Sequence, residues 1–218
     1  LLTILFVPAT LAVVYFGTTI STVLIFSQTT GGCTILAYCF LASLLPVWTL
    51  LQPRGYLGGF ILYLALIVGV IGIFFGGHSI QQPAFKQWAG TQMSDSLFPF
   101  LFVTIACGAC SGFHGLVCSG TTSKQIARES HCKPVGYGGM LLEGFVAVIA
   151  LATVMILAPG KEPAVGRIYG EGLGRFMTTV TGPASLHFAM TFGAMAFSTF
   201  VFDTLDVATR LGRYILQE

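Results

Sequence analysis

The sequence predicts an all-α fold, a polytopic bundle of transmembrane helices, and three observations predict it. Hydrophobic residues make up 55% of the 218 residues and charged residues only 8%, whereas soluble domains carry about a quarter of their residues as charges. Mean hydropathy is +0.85, too apolar for a surface facing water. The apolar residues also fall in uncharged runs near the length, about 20 residues, that a helix needs to cross a bilayer. The 27 glycines lie inside these runs, where membrane helices tolerate them, so a disordered or linker reading fits poorly. A net charge of +2 with scattered Lys and Arg gives no footprint for nucleic acid.

Taken in order, the runs give six expected spans within a single transmembrane domain, 1–218. The first 53 residues hold no charge and divide into spans at about 2–26 and 34–51, with Gln28 to Gly32 as the turn between them. A third span covers about 57–76 and ends at Gly76-Gly77-His78. The fourth runs over about 97–118, the fifth over about 138–158 and closes at Pro159-Gly160, and the sixth over about 185–202. Strict alternation puts Arg54, Lys124, Arg128, Lys133, Arg210 and Arg213 on one side, and Lys86, Lys161, Arg167 and Arg175 in longer loops on the other. The positive-inside rule then makes the first side cytoplasmic. The chain opens Leu1-Leu2-Thr3, without Met or a basic leader, and closes on helix-like Gln217-Glu218, so an internal piece of a longer protein is expected.

Residues 97–145 hold most of the polar anomalies. At about 100° per residue, Gly108, Gly112 and Gly115 share a face that lets another backbone come close. The adjoining face carries Cys107, Ser111, His114 and Cys118. Ser119-Gly120-Thr121-Thr122 follows, and its glycine and hydroxyls suit an interrupted helix, where freed backbone groups find partners or a solute. A cap and turn at the membrane surface fits the same residues. His114 is an ionisable group inside a span, able to carry a proton near neutral pH, or else a hydrogen-bonded packing residue. Glu143, early in the fifth span, reads either as a proton carrier or as a carboxylate reaching the interface beside a helix N-terminus.

The remaining polar residues carry weaker signals. Cys107, Cys110, Cys118 and Cys132 lie near His114 and His131, but a Cys-x-x-Cys pair within an apolar helix is a poor zinc site and fits small-residue packing better. No metal and no cofactor is therefore expected. No Ser-His-Asp spacing, Walker loop or dinucleotide fingerprint suggests an enzyme. Asp206 and Arg210, four apart, suit an ion pair on a wet helix face. Asp203 is closer to the apolar run, has no base four residues on, and is a candidate proton or cation site.

Residues 98–151, with 42–57 and 204–218, closely resemble the carbon starvation protein A family. The segments keep the family's order, and the Ser111-Gly112-Phe113-His114 and Ser119-Gly120-Thr121-Thr122 motifs match its pattern. The resemblance implies an inner-membrane protein of bacteria short of carbon, importing peptides or pyruvate, the latter with protons. It also implies a leucine-transporter-like core of the amino acid–polyamine–organocation superfamily, with inverted repeats and broken helices. Two departures stand out: Ser123 replaces a Pro common after Ser-Gly-Thr-Thr, and Asp203 stands where Thr or another uncharged residue is expected.

On this resemblance the expected substrate-binding residues are Ser111, Gly112, His114, Ser119, Gly120, Thr121 and Thr122, and the reading of the residues themselves adds His114, Glu143 and Asp203 as proton-coupling candidates. The expected partners are a small carboxylate or peptide, protons and the lipid bilayer. A membrane starvation sensor or scaffold, or a channel without coupled transport, is the alternative.

Overall fold

The computed structural model describes residues 2–20, 27–46, 48–85, 88, 97–109, 112–158 and 165–217. The described residues are helical, with no strand among them. They divide into two compact units, residues 1–82 with 138–218, and residues 83–137. The first contains α1 (Leu2–Ile20), α2 (Gln28–Leu44), α3 (Leu51–Phe75), most of α6 (Cys132–Met155), α7 (Val165–Thr181) and α8 (Leu186–Gln217). The second contains α4 (Leu97–Ala109), α5 (Gly112–Val117) and the start of α6. Three helical stretches, Gln52–Phe75, Glu129–Met155 and Pro183–Gln217, are long and apolar enough to cross a membrane, and Thr3–Gly17 and Thr29–Leu44 are shorter apolar helices.

The larger unit is built around α8. Leu173 and Phe176 of α7 and Phe192 and Ala196 of α8 are almost fully buried, joined by Ile61, Ala65 and Val68 of α3 and Val14 of α1. Glycine lets the helices come this close. On α7, Gly166, Gly170 and Gly174 recur every four residues. Cβ atoms added there would stand 3.0 Å from Phe197, 3.0 Å from the Ala194 nitrogen and 2.9 Å from Met190 respectively. These pairings run in opposite directions along the two helices, so α7 and α8 form an antiparallel hairpin. Gly182 turns it with φ +84°, a conformation open to glycine and strained for other residues. Gly72 of α3 likewise receives Phe176, and Gly172 receives Thr153.

Large apolar side chains also cover the outside. Phe6, Tyr15 and Phe16 on α1, Phe100 and Phe102 on α4, and Leu141, Val148 and Leu151 on α6 are all exposed. Surfaces this apolar mark contact with lipid or with further protein rather than with water.

Two sequence expectations give way to different local structure. Gln28 to Gly32, expected as a turn, form the start of α2, because Ser27 Oγ accepts from the Thr30 amide at 3.2 Å and caps the helix. The stretch between the fifth and sixth expected spans, read as a loop, contains α7. Its apolar residues Tyr169, Leu173 and Phe176 recur at helical spacing, while Arg167, Glu171 and Arg175 lower its mean hydropathy. At the other end of α2, Pro46 holds Leu45 in extended conformation (φ −78°, ψ 153°) and stops the helix.

Candidate functional site

In the smaller unit, Pro99 forces Phe98 out of helical geometry (φ −120°, ψ 128°) before α4 proceeds. Cys110 and Ser111 lie outside the described residues, and α5 begins at Gly112 and carries an exposed His114. The helix then widens into a π turn over Cys118–Thr122, with the Ser123 amide donating to the Cys118 carbonyl at 3.0 Å. Such turns shift the α-helical register and recur at functional sites.

Within the turn, Ser119 Oγ donates to the Leu116 carbonyl at 3.1 Å, and Ser123 Oγ donates to the Ser119 carbonyl at 2.6 Å. Gly120 and Thr122 are half-buried. Thr121 is buried, and its Oγ1 has no hydrogen-bond partner among the described residues. His114, Ser119, Gly120, Thr121 and Thr122 therefore lie on one short helical segment, and one hydroxyl in it is withdrawn from water and unanswered.

Glu143 and Asp203 belong to the larger unit. Glu143 is exposed on α6. Asp203 is half-buried on α8, with its Oδ1 buried and unpartnered among the described residues. Around it is a polar cluster that sequence reasoning assigned otherwise. The Asp206 carboxylate is 1% exposed and does not pair with Arg210 on a wet face. Its Oδ2 lies 3.4 Å from Arg54 Nη1 on α3. Arg210, also 1% exposed, donates from Nη1 to the Leu45 carbonyl at 2.8 Å and from Nη2 to the Ala42 carbonyl at 2.9 Å. Those carbonyls belong to the end of α2, where helical partners run out, and its partial negative charge suits a guanidinium. Arg54 also lies over the rings of Tyr38 and Phe202 at 5.9 and 5.4 Å. Two basic residues counted as topology markers are thus engaged inside the bundle.

A second feature was also missed. An open groove of about 440 Å³ between α7 and α8 is lined by Arg167, Glu171, His187, Thr191 and Ser198 over a wall containing Gly166, Gly170 and Phe197. Its size is that of a small-solute pocket, with Arg167 and Glu171 one helical turn apart. The spacing of Gly166, Gly170 and Gly174 was the sequence signal for it, masked by the low hydropathy of α7. Among the described residues, no three His, Cys, Asp or Glu side chains group as metal ligands.

Comparison with known proteins bears on most of the chain. A family model described as carbon starvation protein CstA matches residues 1–167. The chain is 34% identical to a peptide transporter CstA of Mycobacterium tuberculosis, an alignment covering 84% of this chain and 32% of the relative. It is 44% identical to the pyruvate/proton symporter BtsT of Escherichia coli, over 68% of this chain and 22% of that protein. With the peptide transporter CstA of Escherichia coli the identity is 48%, over 58% of this chain and 18% of the relative. The chain spans about a third or less of the length of these relatives. No solved structure matches it.

Proposed function

This chain belongs to the carbon starvation protein CstA family, and from that premise we propose that it forms part of a secondary active transporter that imports a small carboxylate, pyruvate or a peptide, together with protons. The observation that carries this reading is the joint likeness to relatives named as peptide transporters and to one named as a pyruvate/proton symporter. The setting is a bacterial inner membrane, and the fold a leucine-transporter-like core of which this chain supplies some helices. The helix interruption at the π turn supports that fold, since such cores place solutes at breaks in helices.

In this reading the segment from Ser111 to Thr122 binds the solute. The buried Thr121 hydroxyl is the donor that a carboxylate would satisfy, and Ser119, Gly120 and Thr122 supply backbone and hydroxyl groups beside it. His114, on the same segment, takes a proton on the outward-facing side and loses it inward. Glu143 and Asp203 are the other ionisable groups able to take part.

Uptake of labelled pyruvate into proteoliposomes containing the full-length parent, with unlabelled di- and tripeptides as competitors, tests the substrate class. Pyruvate uptake that peptides leave unchanged supports a carboxylate symporter. Competition accompanied by direct peptide uptake assigns a peptide importer, and no uptake of either contradicts the transport reading.

A further inference from the structure

The face of α8 that packs into the larger unit changes character along its length. Phe192, Ala196 and Thr199 are followed at the same alternating spacing of three and four by Asp203, Asp206, Arg210 and Arg213. An apolar seam thus becomes an ionic one while remaining packed in the protein. Asp206 and Arg210 are each 1% exposed, and buried charges persist in such places only when they are balanced.

Among the described residues, Asp203 and Asp206 have one ion-pair contact between them, that of Asp206 with Arg54. Arg210 is committed to the α2 carbonyls of Ala42 and Leu45. Arg213 is ten residues beyond Asp203, about 15 Å along the helix, and lies over the ring of Tyr214. Arg54 is the cation in contact with this pair, through Asp206. It pairs with Asp206 and acts electrostatically on Asp203. Asp203 and Asp206, three apart, are neighbours on the helix surface, and each keeps one buried oxygen, Oδ1, without a hydrogen-bond partner among the described residues. The other titratable groups here are Tyr38, under Arg54, and Cys39, within the field of Asp206 and Arg54. Both are neutral in their ordinary state. Arg210 keeps its charge, since carbonyls satisfy its donors without neutralising it, and its Nε, like that of Arg213, is buried without a hydrogen-bond partner among the described residues, but Arg54 is the guanidinium in ion-pair contact with the two carboxylates, through Asp206.

We propose that Asp203 and Asp206 form an exchangeable site for one small monovalent cation, a proton or a sodium ion, with Arg54 as its fixed counter-charge and Arg210 as the residue that positions α8 against α2. With the cation bound, the two neighbouring carboxylates carry one net negative charge, which Arg54 meets in contact. Its release leaves two adjacent anions with a single ion-pair contact between them, to Arg54, and favours movement of α8 relative to α3. As a coupling site it rests on the transport reading above, while the binding of the cation is testable without transport.

The experiment is pH-difference infrared spectroscopy on the purified full-length parent, with and without sodium, combined with uptake and exchange assays in proteoliposomes. A carboxylic-acid band that titrates in the wild type and is lost in Asp203→Asn supports the proton. A carboxylate shift produced by sodium and lost in the same variant supports sodium. In the transport arm, Asp203→Asn is expected to keep solute exchange at equal concentrations while losing gradient-driven accumulation at least tenfold, and Asp203→Glu to retain it. Where Asp203→Asn fails to fold, Asp203→Thr carries the same readings. Wild-type protein showing neither spectral change overturns the site, whatever its transport does. Wild-type protein that shows the spectral change but no driven uptake retains the site and sinks the coupled-transport reading. Unaltered driven uptake in both neutral variants removes the site from coupling.

Discussion

Arg54 Nη1 on α3 lies 3.4 Å from Asp206 Oδ2 on α8, and this contact joins two of the chain's longest apolar helices across 152 residues of sequence. Removing the guanidinium leaves a buried carboxylate with no direct counter-charge, which typically costs about 3–5 kcal/mol. Arg54→Ala in the full-length parent is therefore expected to lower the melting temperature in detergent substantially. The double variant Arg54→Ala with Asp206→Ala should recover part of the loss, because it removes both charges. Additive losses would show that the two residues do not interact.

Arg210 tests a different use of the same residue type. Its two nitrogens satisfy two carbonyls at the end of α2, and a lysine ammonium cannot reproduce that fork. Arg210→Lys is expected to destabilise the protein by about 1–3 kcal/mol, roughly the cost of leaving a buried polar group unsatisfied. Melting in detergent checks this, and a lysine variant as stable as wild type would contradict the contact.

The α7–α8 hairpin predicts opposite outcomes for two glycines on one helix. A Cβ on Gly193 would meet the Gly170 carbonyl oxygen at 2.6 Å, a backbone atom that cannot rotate away, whereas one on Gly212 meets nothing within 4 Å. Gly193→Ala should cost about 1–3 kcal/mol through overpacking. Gly212→Ala should be neutral or gain up to about 1 kcal/mol from the reduced freedom of the unfolded chain. Thermal unfolding of the two variants side by side distinguishes them.

Thr121→Val separates packing from solute binding. The hydroxyl is buried and unpartnered, so a purely structural role predicts unchanged or increased stability on its removal. If it donates to the solute carboxylate, the same variant should fold normally and raise KM about tenfold, corresponding to a hydrogen bond to a charged group worth about 1.5 kcal/mol. Uptake kinetics and melting on one preparation decide between them.

The helical, membrane-type character of the chain was legible because it depends on composition and run length, which need no partner. The position of α7 was not. Its charges hid it from a hydropathy scan, and its close approach to α8 depends on glycines whose role appears only against Ala194 and Met190. Asp206 and Arg210 show a related limit, since spacing of four proposed the local pair, while partners more than 150 positions away decided the contacts. Asp203 stood out in the sequence as a carboxylate without a local base. The sequence could not show that Arg54, on another helix, pairs with Asp206 one turn away from it. The hydroxyls at Ser119 to Thr122 were legible as a helix irregularity, but the π register and the burial of Thr121 required coordinates.

Proton-coupled import is tested most directly by loading proteoliposomes of the full-length parent with a pH indicator, imposing no initial gradient, and adding pyruvate outside. The account predicts internal acidification that depends on pyruvate, saturates with it, and accompanies uptake of the label. Pyruvate entry without any acidification, in vesicles shown to be tight to protons, would contradict it.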